Sequence, residues 1–181
     1  MITKPNDWDT VEAQDGSFKR LPAGGYVCRI LQATKSQSKN GNEMLVICFD
    51  IEGGEYNSYF SKMFEQNMVK DGANAKYPNG GIFRQVTCGN STGIFKGVIQ
   101  NIEKSNQGYV WNWDERTLVG KFFGGVFRDE EYISSRDGQV KTSVKCIAVR
   151  PVEGIENIAI PTPKKVEQTQ STAMNDVDIP F

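Results

Sequence analysis

Seven side chains in this sequence are of the types that hold a polyanion and unpaired rings: Lys35, Lys39, Phe60, Lys62, Tyr132, Arg136 and Lys141. Ammonium and guanidinium groups grip phosphate oxygens, and aromatic faces give bases a surface to stack on. Lys35 and Lys39 precede the turn-forming pair Asn40-Gly41, and Tyr132, Arg136 and Lys141 surround Asp137-Gly138. Phe60 and Lys62 are two residues apart, so an extended segment would show both on one face. A second group closes the chain: Asp176, Asp178, Ile179, Pro180 and Phe181. Two apolar knobs stiffened by a proline, preceded by acids and followed by a free carboxylate, suit an apolar pocket rimmed with basic groups. Val177 interrupts the acidic run.

Other chemistries find little support. The chain has no histidine, which removes the commonest acid–base group and metal ligand. Cys28, Cys48, Cys88 and Cys146 show no metal-ligand spacing, and three of them lie in apolar runs where a thiol acts as a small hydrophobe. Asp50, Glu52 and Glu55, with Lys62 beyond, offer a remote metal-nuclease alternative, but acids beside the Gly53-Gly54 turn are expected at any exposed turn. No phosphate-cradling glycine loop or dinucleotide fingerprint is present. The expectation is a binding protein rather than an enzyme, without metal or cofactor. No stretch is apolar enough to cross a membrane, and no signal peptide follows Met1, which leads us to expect a cytoplasmic protein.

The net charge of −1 conceals an uneven distribution. Residues 1–15 carry Lys4 against Asp7, Asp9, Glu12 and Asp15, and residues 153–181 carry two lysines against five acids. Each end is thus −3, leaving +5 on residues 16–152. A basic body with acidic ends fits a body that meets phosphate and a tail that does not.

The elements that would position these groups are mostly strands. Gly25 to Thr34 and Glu43 to Glu52 read as a hairpin, the second strand alternating Leu45, Ile47, Phe49 and Ile51 on one face. Tyr56 to Met63 reads as a third strand, Glu65 to Gly81 as a polar loop or short helix, and Ile82 to Val86 as a short extended or helical piece. Ile94, Phe95, Val98, Ile99 and Ile102 recur at helical spacing, with Ser91 or Thr92 as cap. Leu118 to Phe127, with Gly120, Gly124 and Gly125 marking bulges or curvature, and Lys141 to Val149 complete five strands. Trp111 and Trp113 read as a plug for one end of the core. This order predicts a mainly β protein, a five-stranded OB-fold-like barrel with one amphipathic helix between strands 3 and 4. A mixed α+β sandwich is the alternative. Residues 1–22 form an N-terminal extension, 23–158 the domain, and 159–181 a linker, expected to be disordered, with its interaction tip.

Two resemblances sharpen the expectation. The end of the chain, Asp176 to Phe181, resembles the C-terminal tip of bacterial single-stranded-DNA-binding proteins, a hook that docks on replication and repair partners. Separately, Gly25-Tyr26-Val27, Lys39 to Leu45, Phe95-Lys96-Gly97-Val98-Ile99, Glu103 to Asn106, Gly120-Lys121 and Glu130-Glu131-Tyr132 resemble a family of small bacteriophage proteins encoded among replication and recombination genes. That likeness spans roughly residues 20–150 and implies binding to single-stranded DNA. Two function classes follow. One is a protein that coats single-stranded DNA and recruits host or phage replication and recombination proteins through its tip. The other is an adaptor that uses the same tip and has no DNA affinity of its own. A homo-oligomer is left open, and no membrane partner is expected.

Overall fold

The computed structural model describes residues 2–6, 8–10 and 19–166. Its centre is a five-stranded antiparallel sheet built from β1 (Gly24–Gln37), β2 (Glu43–Ile51), β3 (Ile82–Val86), β4 (Phe122–Ile133) and β5 (Val140–Arg150), in the order β3-β2-β1-β4-β5. Helix α1 (Tyr59–Asp71) joins β2 to β3, and α2 (Thr92–Ser105) joins β3 to β4. The long β1 pairs with β2 through Gln37 and with β4 near its start, and a bulge between Ile30 and Gln32 lets it curl between them. The sheet coils round its core without closing. Its edge strands β3 and β5 approach but form no ladder among the described residues. The result is mainly β and compatible with an OB-fold-like arrangement left open along one seam.

Period-two alternation sets the core. Leu45, Ile47, Phe49 and Ile51 of β2 all point inward, as read from the sequence, and meet Phe123 and Phe127 of β4. One face of α2, carrying Phe95, Val98, Ile99 and Ile102, covers one end of the sheet, while Ile94 remains exposed. Burial pushes the Cys28 thiol well up and the Cys146 thiol to about 12, so both act as packing groups. Close approach explains two glycines of β4. A Cβ on Gly124 would lie 2.6 Å from the Pro151 carbonyl oxygen, and one on Gly125 2.8 Å from Cys28 Sγ.

The segment expected as a third strand is different. Tyr56 to Ser58 form a turn and α1 begins at Tyr59. The cause is Asp50, which is 5% exposed on β2. Its carboxylate accepts hydrogen bonds from the backbone N–H of Phe60 and of Ser61, each at 2.9 Å, and from that of Ile51 at 2.8 Å. A charge from a neighbouring strand therefore caps the helix, in place of a side chain at the local cap position. Strand preference in Tyr56-Asn57-Ser58-Tyr59-Phe60 yields to this contact, and the third strand is Ile82–Val86 instead. Asp50→Asn replaces a charged acceptor with a weaker neutral one and sets an NH₂ among backbone donors. We expect it to cost about 1–3 kcal/mol, read as a lower denaturant midpoint at unchanged m-value.

The ends of the domain also shift. Leu21 is fully buried and donates its N–H to Tyr59 Oη, so the N-terminal extension gives its last residues to the core. The expected linker begins later than residue 159. The pairing of β1 with β4 stops at Gly24 opposite Phe127, leaving one edge of β4 open beyond that point. Lys164 fills it, donating its N–H to the Asp129 carbonyl and accepting the Glu131 N–H, both at 2.8 Å.

Candidate nucleic-acid interface

The open seam gathers positive charge. Where β3 faces β4 and β5, Arg84, Arg128, Lys145 and Lys164 line a cleft of about 390 Å³, with Glu130 the one acid among its described lining residues. Alternation places each strand's contribution. Phe83 and Gln85 turn inward, so Arg84 turns outward. Cys146 and Val144 pack on the core, so Lys145 faces solvent. Arg128 lies opposite Lys145 in the β4–β5 ladder and bonds to Glu130, whose other oxygen is 3.8 Å from Lys145 Nζ. The Arg128 guanidinium holds the Glu130 carboxyl below the usual carboxylate range against the opposing effect of partial burial, with Lys145 assisting. The Arg128 Nε–H is buried without a hydrogen-bond partner. Such an orphan donor costs about 1–3 kcal/mol.

A second cleft of about 560 Å³ continues the seam toward the β4–β5 hairpin. Its walls include Arg20, Tyr59, Asn67, Tyr132 and Ser143. Arg20 is paired with Asp129, so it adds a donor more than a net charge. Tyr132 is 46% exposed there, with a ring available to a base.

The other residues expected from sequence scatter to both ends of this seam. Lys39 lies exposed in the β1–β2 turn and Lys35 is paired with Glu43 near it. Arg136 and Lys141 belong to the β4–β5 hairpin at the opposite end of the sheet, Lys141 bonded to Asp137 at 2.7 Å. Lys62 is exposed on α1. Phe60 is a correction. At 1% exposure it is a core residue, edge-on to Phe49 at 5.8 Å and stacked with Phe127 at 6.1 Å, and it cannot receive a base. Helical geometry, in place of the expected strand, turns it inward while Lys62 faces solvent. No protein-family model matches this chain, and no curated protein matches it.

Asp50, Glu52 and Glu55 each have other partners. Asp50 caps α1, Glu52 meets Arg29 at 3.0 Å, and Glu55 is bonded to Lys19. Among the described residues no cluster of three histidine, cysteine or acidic side chains could hold a metal ion. No helix there is long and apolar enough to cross a membrane. The tip residues Asp176, Asp178, Ile179, Pro180 and Phe181 lie outside the described residues.

Sequence reasoning missed the four seam cations. Arg84 and Lys145 had a signal, since each is the outward residue of an alternating run. Arg128 had a weaker one, because a bulge between Val126 and Phe127 resets the alternation before it. Lys164 had none, sitting in a run of Pro, Thr and Lys with nothing to bury.

Proposed function

We propose that this protein binds single-stranded DNA with little sequence preference and, through its acidic Ile-Pro-Phe tip, recruits replication, recombination or repair proteins, as a phage single-strand-binding protein would. The observation that carries the reading is the convergence of Arg84, Arg128, Lys145 and Lys164 on one open cleft at the seam of an OB-like sheet. Closed ladders offer no such edge. An open one leaves room for a flexible strand, with cations for its phosphates. The β1–β2 and β4–β5 turns, with Lys39 at one end and Arg136 at the other, frame that path in the way OB-folds frame their ligands. A duplex is stiff and wide, and fits a seam cleft poorly.

Fluorescence anisotropy with a labelled oligo-dT tests this. A strand contacting all four cations releases counterions, so its affinity should fall about 50-fold between about 50 and 200 mM salt. Duplex of equal length should bind more weakly. A flat salt response, or equal affinity for duplex, would overturn the DNA reading. Pull-down from a bacterial lysate, with the full chain and with a chain ending at residue 174, tests the tip. Loss of a replication or repair protein on truncation supports it, and identical partner sets refute it. Partner capture without any oligonucleotide binding would mark an adaptor.

A further inference from the structure

At the far end of β3 from the β4–β5 hairpin, the chain holds an aromatic pair, a half-buried Trp111 beneath an exposed Trp113. Trp113 is 78% exposed and has φ 71°, a left-handed backbone that is costly for a bulky side chain. Local bonds enforce it. The Trp111 N–H donates to Glu103 Oε1 at 2.9 Å, Trp111 Nε1 donates to the Asp114 carbonyl at 3.1 Å, and the Asp114 N–H donates to Asn112 Oδ1 at 3.2 Å. Trp111 stands edge-on to Phe95 of α2 at 5.6 Å and supports the Trp113 ring at 4.9 Å. Trp111 is thus fixed to the body, while Trp113 is held out into solvent on top of it. Trp111 packs against the core, as the sequence suggested, but Trp113 does not. Strain of this kind persists where surrounding structure imposes it, and it concentrates at binding sites.

The pair borders a cleft of about 400 Å³, whose walls include Lys35, Met44, Thr87 and Cys88. Thr87 and Cys88 directly follow β3, the strand whose Arg84 lines the cationic cleft. One strand therefore leads from the seam cations to the tryptophans.

We propose that Trp113, backed by Trp111, is a stacking platform for one unpaired base of the strand that lies along the seam. The inference rests on the proposed single-strand binding and adds a position and a contact type to it. Lys35 and Glu43 neutralise each other beside the cleft, and Glu115 adds an acid. The platform should therefore contribute through ring contact rather than charge, and be indifferent to salt and to base identity.

The test uses the full chain and oligo-dT carrying 5-iodouracil, which cross-links on irradiation to a ring stacked on it. Adducts should map to Trp113. Trp113→Ala should weaken oligo-dT binding by about five- to 150-fold, the worth of one stacked base, with the salt slope unchanged. Trp113→Gly should lose as much affinity yet melt at or above the original temperature, because glycine adopts this φ without penalty. If the original protein binds oligo-dT but Trp113→Ala binds equally well and no adduct maps there, the platform alone falls. If Trp113→Gly melts several degrees lower, Trp113 is a packing residue and the platform again falls. If the original protein binds no oligonucleotide, the seam reading fails and the platform fails with it.

Discussion

Phe60→Ala should destabilise the protein by about 3–5 kcal/mol, among the largest single losses available to it. The ring is 1% exposed and meets Phe49, Tyr59 and Phe127. It also fills the space beside Gly80 and Gly81, where a Cβ on either residue would approach it within 3 Å. Truncation opens a cavity where α1, β2 and β4 meet, and the stiff β backbone around it can collapse only in part. Thermal or urea unfolding measures the loss directly. The fraction still folded should bind oligo-dT as the original protein does, because Phe60 borders the second cleft with only 1% of its surface exposed. Reduced affinity at unchanged stability would return Phe60 to the binding surface and refute its place in the core.

The second large effect is on binding. Arg84→Ala combined with Lys145→Ala removes two of the four seam cations, both exposed and neither packed in the core. Two charge-assisted contacts at roughly 1.4 kcal/mol each correspond to about a 100-fold loss of oligo-dT affinity at low salt. The salt slope should fall by about 1.4, since a single strand gives about 0.7 per phosphate contact. Melting temperature should stay within a few degrees. Lys70→Ala, in the last turn of α1 and lining neither cleft, should change neither quantity. Equal effects from the Lys70 and seam variants would reduce the interaction to diffuse attraction by the basic body, with no defined path.

These outcomes would separate three contributions that the single-strand reading combines. On that reading, charge at the seam would set the salt dependence, the tryptophan pair would add a salt-independent contact, and the tip would act on proteins rather than on DNA. Asp50 joins fold to site. The Asp50 carboxylate starts α1, and α1 supplies one wall of the cleft that holds Tyr132.

By itself the sequence determined the first hairpin and α2. Alternation in Leu45, Ile47, Phe49 and Ile51 and the Asn40-Gly41 turn specify the first hairpin, because a one-residue slip would turn those four side chains to the outer face. The helical spacing from Phe95 to Ile102 likewise specifies α2. Both signals are local, carried by neighbours in the chain. Tertiary structure decided what depends on distant partners. Tyr59 to Met63 are helical because the buried Asp50 offers acceptors to the N–H groups of Phe60 and Ser61, and that choice moved Phe60 from the candidate surface into the core. The cationic cleft depends on four residues from four segments that meet only when the sheet coils and Lys164 docks on the open edge of β4. Trp113 reads as an ordinary apolar residue until the bonds around Asn112 and Asp114 hold its backbone at positive φ and its ring in water. Periodicity records which side of an element is buried, but it carries no record of which remote group will satisfy a helix end or share a cleft.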